Sequence, residues 1–288
     1  MAKRSPEDEI DLLIDNLVDN ARKGADDATT RIIKLLDKYL DGFQLSDGSF
    51  VLSEQNSRLL TGLDSEIAKA INASTYPSSV SDIVRSLPEI ERLSEMVLRQ
   101  YNSTFAFDFD RLGVSQLRLA QTETIVQNMT GTGLTAEIRQ PIRDAINRNV
   151  FAGAKVTDTK ARLRDFLLAS ESDKFNRMAR YANVWAQDGI MQYDGMIYDR
   201  FRTEYAPNSI RYIGSLIGDS RPQCVRWITK YNGKIPMSKL QSEINWAYNN
   251  GSGMNLATTK ETFCTYRGGY NCRHKAIPVF ESEGEDNG

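Results

Sequence analysis

Apolar residues recur at helical spacing through nearly all of residues 6–205, and that period restricts the chain to an array of amphipathic helices packed on one another. Over 6–23, Ile10, Leu13, Ile14, Leu17 and Val18 form one stripe with acidic residues between them, and such a stripe needs a partner. Ser5 can cap the start of that helix and Pro6 suits its first turn. Ile32, Ile33, Leu35, Leu36 and Tyr39 form a second stripe, predicted to be the packing partner. Further helices are predicted over 53–73, 78–101, 114–129, 135–148, 157–168 and 173–205, with Pro88 kinking or ending the one that contains it. Met178, Tyr181, Trp185 and Tyr193 fall at near-helical intervals in the last of these, the pattern of a core face.

Two stretches interrupt the period. Residues 43–52 alternate apolar and polar around Ser46, Asp47, Gly48 and Ser49, which predicts a small exposed hairpin. Residues 105–110 carry three phenylalanines in alternation and take no assignment. The helical pattern ends at Ala206, Pro207, Asn208 and Ser209. Beyond that break, strands are predicted over 209–216 and 275–280, a helix over 238–248, and a disordered acidic tail over 281–288. The expected division is a helical N-terminal region over 1–110, a second helical region over 111–205 and a small domain over 206–280. The fold class is mainly α with a small α+β C-terminal domain, and 288 residues suffice for more than one core.

The chemistry-bearing residues are concentrated in that last domain. All three cysteines and the single histidine, Cys224, Cys264, Cys272 and His274, lie within 51 residues. No apolar run is long enough to cross a bilayer, so no membrane role is expected. The N-terminus turns acidic where a secretory leader needs an apolar stretch, which predicts a cytoplasmic chain with its cysteines as thiols or metal ligands. Three thiols and an imidazole are a structural zinc ligand set. Their spacing departs from zinc knuckles: Cys224 stands alone, seven residues separate Cys264 from Cys272, and one separates Cys272 from His274. In an extended segment, residues 272 and 274 share a face, so joint ligation is geometrically open. Against the metal stands the plainer reading of three small buried side chains in a loop-rich domain.

A second reading makes Cys272 or Cys264 a nucleophile, His274 its base and Asp219 the orienting acid, with the residue types of a thiol hydrolase. A third makes Asp219 the carboxylate of an arginine clamp with Arg221 or Arg273, while Gly268 and Gly269 give the backbone freedom to enter Asn271 and Cys272. Gly131 and Gly133 lack the third glycine and the preceding strand of a dinucleotide fingerprint, and no phosphate loop ending in Gly-Lys-Ser/Thr is present. One histidine excludes a histidine-rich metallohydrolase.

Charge is unevenly shared. Residues 205–280 carry ten Lys or Arg against three Asp or Glu, a balance of +7 that leaves −9 on the rest of a chain whose total is −2. A basic end on an acidic chain suits a nucleic acid or an acidic protein face, or is simply a solvated surface.

The segment G-D-S-R-P-Q-C over 218–224, the Asn-Gly-Lys turn at Gly233 and Lys234, and G-G-Y-N-C-R-H before a final apolar strand resemble the C-terminal module of the bacteriophage Mu F-like minor head proteins, the phage head morphogenesis proteins. That family's pattern falls here on Asp219, Arg221, Cys224, Gly233, Lys234, Gly268, Gly269, Asn271, Cys272, Arg273 and His274. The helical stretches around Asn147 to Gly153 and Arg180 to Ala186 are similar to the family's lead-in, so the resemblance covers about the second half of the chain. The insert between Gly233 and Phe263 departs from it. The resemblance implies a non-enzymatic virion structural protein in few copies, assembled in the host cytoplasm and placed at the portal vertex or capsid interior. Its partners would be the portal and other head proteins, with the basic C-terminal domain able to face packaged DNA. The same reading implies no cofactor, zinc at Cys224, Cys264, Cys272 and His274 being the one candidate. The other classes carried by the residues are a cysteine-dependent hydrolase and a zinc-stabilised nucleic-acid-binding module.

Overall fold

The structure, a computed structural model, describes residues 4–168, 175–270 and 272–281. Its element order is α1 Pro6–Leu40, β1 Leu45–Ser46, β2 Ser49–Phe50, α2 Glu54–Asn72, α3 Tyr76–Tyr101, a 3-10 turn Phe109–Leu112, α4 Val114–Met129 and α5 Thr132–Leu134. There follow a π-helical turn Thr135–Arg139, α6 Gln140–Phe151, α7 Val156–Leu168, α8 Arg177–Tyr205, β3 Ser209–Ile213, α9 Pro222–Lys230, β4 Lys234–Pro236, α10 Met237–Asn250, α11 Phe263–Tyr266 and β5 Lys275–Val279. The chain is mainly α with a small α+β region, as its periodicity predicts.

Two compact units form, and neither is a continuous stretch. One gathers Met1–Ile14, Ser86–Thr122 and Gln187–Gly288; the other gathers Asp15–Arg85 and Glu123–Ala186. Their boundaries fall inside α1, α3, α4 and α8, whereas the sequence division ran along the chain at 110 and 205. A long amphipathic helix carries no turn residue where it passes from one core to another, so sequence punctuation could not mark these boundaries.

The two stripes expected as partner helices belong to one helix, α1, whose residues from Asp15 on lie in the unit built from 15–85 and 123–186. Gly24 lies between the stripes and does not break it: a Cβ there would stand 2.8 Å from Tyr76 Cα, so glycine admits the start of α3. Ser53 caps α2 by accepting from Asn56 N–H. The hairpin forms as predicted, with Asp47 and Gly48 both at positive φ, the requirement of its two-residue turn. Its first strand and turn are exposed as expected, and its second strand is anchored: Phe50 is buried and donates its N–H to the Ala154 carbonyl at 3.0 Å. The buried Asn56 closes it by bonding both backbone groups of Gln44. Asn176 caps α8 by accepting from Ala179 N–H, which sets the helix start at Arg177; the predicted start at Asp173 lies outside the described residues.

In the unit built from 1–14, 86–122 and 187–288, Pro88 does not end α3. The unassigned 105–110 segment supplies an aromatic cluster, with Phe105 stacked on Phe280 at 3.9 Å and Phe107 edge-on to Phe201 at 4.9 Å. β3 is the centre of a three-stranded antiparallel sheet of order β4-β3-β5, shorter than the predicted 209–216 strand. Ile210 stands opposite Ile235 and Pro278, and Tyr212 opposite Ala276. Trp227 of α9 is fully buried between Tyr212 at 5.0 Å and Phe263 at 5.1 Å, which fixes α9 and α11 against β3. Glu281, assigned to the tail, is tied to Asn208 by two hydrogen bonds; residues 282–288 lie outside the described residues. Among the described residues no helix is long and apolar enough to cross a membrane.

Candidate thiol and imidazole site

Two segments distant in sequence converge on β3. Cys224 comes from the first turn of α9, which opens on Pro222 after Arg221 in extended backbone. Cys272 and His274 come from the extended run into β5, where burial alternates: both are buried and Arg273 between them is exposed. The shared face expected from their spacing is therefore realised.

The sulfurs of Cys224 and Cys272 are 3.9 Å apart, and Cys272 Sγ is 3.6 Å from His274 Nδ1. Tyr212 Oη lies 3.2 Å from the first sulfur and 3.4 Å from the second. Its ring stacks on the His274 imidazole, with centroids 5.2 Å apart and 14° between planes. Gly268 closes the cluster from the fourth side: a Cβ there would stand 2.5 Å from Cys224 Sγ and 2.9 Å from both Cys272 Sγ and Tyr212 Oη. Contact with the Cys224 thiol lowers the pKa of Cys272; burial opposes this, and His274 and Tyr212 assist it. The same contact, with burial, pushes Cys224 up, so Cys272 is the member held toward thiolate.

Cys264 is buried but stands outside this cluster, which narrows the four-residue ligand set to Cys224, Cys272 and His274. Its own N–H and the Thr265 N–H donate to the buried Asp199 carboxylate, at 3.1 Å and 2.9 Å. Burial pushes Asp199 up, and the Cys264 thiol is pushed up by burial as well.

The triad reading finds its thiol and imidazole together but not its acid. Asp219 sits exposed in the turn before α9, and His274 Nε2 is buried with no hydrogen-bond partner. The depression beside Cys272, bordered by Met191, Arg267 and Gly269, has a volume of about 10 Å³, room for about one water. The clamp reading keeps its arginine and changes its partner: Arg221 donates to the carbonyls of Gly268, at 3.0 Å, and of Tyr270. Gln223 adds a bond to the same Gly268 carbonyl at 2.8 Å. Gly233 takes φ +72 behind Asn232 at +48, and its carbonyl accepts from Tyr212 N–H at 2.6 Å, so the Asn-Gly-Lys turn aligns β4 with β3. Gly269 also has positive φ, the backbone freedom expected of it; Asn271 lies outside the described residues.

Sequence reasoning missed Tyr212, Gln223 and Arg267. Tyr212 was within reach, because it shares the inward face of β3 with Ile210 at strand period. Gln223 and Arg267 act on backbone carbonyls, which leave no pattern in a sequence. No family model, no curated protein and no solved structure matches this chain.

Proposed function

We propose that the chain is a phage virion structural protein, a minor head protein acting at the portal vertex in capsid assembly or DNA delivery, and that it is not an enzyme. The observation that carries this reading is how the motif residues are used. Arg221 binds carbonyls of 268 and 270, Cys224 meets Cys272, Gly233 turns β4 onto β3, and His274 stacks on Tyr212. Residues shared with a head-protein pattern are thus employed in assembling one compact module. A hydrolase needs a cleft over its nucleophile, whereas the two candidate nucleophiles, Cys272 and Cys264, are 8% and 0% exposed.

The basic balance of this module also supports protein docking ahead of DNA contact. Lys234 pairs with Glu281 and Lys275 with Asp11, both acids outside the 205–280 count, so the charge offered to an anionic polymer is smaller than the +7 in the sequence. Contact with packaged DNA is the secondary part of the proposal and requires binding that weakens steeply as salt rises.

The test is the composition of purified heads assembled with and without the portal protein. Retention of this chain only in heads that contain portal is the expected outcome. Its presence in equal amount without portal, or its absence from heads altogether, sinks the assignment.

A further inference from the structure

We infer that Cys224, Cys272 and His274 form a soft-metal site that takes one zinc ion, with the Tyr212 hydroxyl at the remaining corner. This inference stands on the cluster alone and does not depend on the role proposed above.

The donor set is the first argument. Thiolate and imidazole are the ligands that select zinc over the hard cations, and three such groups from one domain meet the ligand chemistry of protein zinc sites. The distances are the second. With zinc–sulfur bonds of about 2.3 Å and zinc–nitrogen bonds of about 2.05 Å, two thiolates on one tetrahedral ion stand about 3.8 Å apart, and a thiolate and an imidazole nitrogen about 3.6 Å. The structure has 3.9 Å between Cys224 Sγ and Cys272 Sγ and 3.6 Å between Cys272 Sγ and His274 Nδ1. The ligand atoms of all three residues lie within 4.8 Å of one another. Two of the three edges thus match those of a metal tetrahedron, and the third, from Cys224 Sγ to the imidazole, is no longer than 4.8 Å.

The third argument is the opening at Gly268. Any side chain there would drive its Cβ to 2.5 Å from one sulfur and 2.9 Å from the other and from Tyr212 Oη, so glycine leaves clear the face on which these three atoms converge. Arg221 and Gln223 hold that backbone in place through the Gly268 carbonyl, as outer partners around a metal site do. Tyr212 Oη sits 3.2 Å and 3.4 Å from the sulfurs, close enough to share the ion or to donate to a thiolate. Binding replaces the two thiol protons, which leave to solvent, and leaves the imidazole neutral with its proton on Nε2. The ion would clasp α9 to the run that enters β5, joining chain positions 48 residues apart.

The experiment is a cobalt titration of the full-length, reduced, metal-free chain. Tetrahedral thiolate coordination gives intense visible bands and sulfur-to-cobalt charge transfer, and zinc erases both on displacement. One cobalt per chain with these bands is the expected result. Cys224→Ser and Cys272→Ser lose the bands, Cys264→Ser keeps them, and Tyr212→Phe binds about 10- to 100-fold more weakly. Because the serine variants of buried cysteines risk unfolding, the wild-type spectrum decides independently. Absence of tetrahedral bands in the folded wild-type chain overturns the site, as does their survival in a folded Cys272→Ser variant. Recovery of Cys224 and Cys272 as a disulfide under the same reducing conditions overturns it too, and would make the pair a redox couple.

Discussion

Gly195 in the middle of α8 lies directly against Cys264 of α11: a Cβ at position 195 would stand 2.6 Å from Thr265 Cα and closer still to the Cys264 carbonyl oxygen. Both obstacles are backbone, so they cannot rotate away. Helix propensity favours alanine over glycine by about 1 kcal/mol. Overpacking a tight contact costs about 1–3 kcal/mol or more, and with backbone on both sides the contact wins. Gly195→Ala is expected to lower stability by about 2 kcal/mol in urea unfolding. Gly218→Ala, at a glycine with nothing within 4 Å, should stay within about 0.5 kcal/mol of wild type. Equal effects at both positions would mean that α8 and α11 are not in this contact.

Asn102 reads the outer edge of the sheet. Its Nδ2 donates to the Pro278 carbonyl at 3.1 Å, and its Oδ1 accepts from Phe280 N–H at 2.9 Å. β5 is an edge strand, where a proline is tolerated because its missing N–H breaks no ladder bond. The Pro278 carbonyl is buried and the Phe280 N–H half-buried, and the amide gives each its partner. Asn102→Ala is expected to cost about 1–3 kcal/mol, because a buried carbonyl and a half-buried N–H lose their partner. Hydrogen exchange at Phe280 N–H should accelerate in that variant more than exchange at the central β3 amides.

What could be read in the sequence was local. The hairpin at 43–52 followed from Asp47 and Gly48, and the common face of Cys272 and His274 followed from a spacing of two in extended backbone. Helix α9 went unseen because its nine residues allow too few turns for a period to show. The joining of two stripes into α1 went unseen because Gly24 reads as a break, while its actual use is to admit Tyr76. At the site, residue types and two of the three sulfur and nitrogen ligands' neighbours were legible. Separating Cys264 from Cys224 was not, since it depends on the turn of α11 being held by the distant Asp199 of α8.

Glu243 gives the C-terminal module an acid limit. Burial pushes its carboxyl up, but bonds from Arg226, Lys230 and Tyr231 outweigh this and bring it down to about 2. A depressed folded pKa means that stability is fully present above the unfolded value of about 4.3 and is lost as pH falls toward 2. A shift of this size corresponds to about 3 kcal/mol, reduced to about 1–2 kcal/mol because Arg226 and Lys230 are partly in water. Urea unfolding of wild type and Glu243→Gln from pH 7 to pH 2 should show a stability gap that narrows by that amount between about pH 5 and pH 2. A constant gap across the range would remove the ion cluster from the account.

Arg267 is the side chain on which the final turn depends most. It is 2% exposed and sits at φ +47 and ψ −123, the mirror image of the β region, which glycine enters freely and other L-residues seldom take. Its guanidinium spans three carbonyls, donating to Cys264 at 2.8 Å, to His274 at 3.2 Å and to Met191. These bonds fix α11, the entry to β5 and α8 with one planar group, and they offset the backbone strain. Lysine carries the same charge but has one nitrogen and no fork, so Arg267→Lys cannot reach all three acceptors. It is expected to cost about 3–5 kcal/mol, as loss of buried charged hydrogen bonds does. Arg267→Gly relieves the backbone strain and still loses the three bonds, so it should also be destabilised, which separates the two contributions. If Arg267→Gly proves more stable than wild type, the strain outweighs the fork and the guanidinium is not what holds Cys272 and His274 in place.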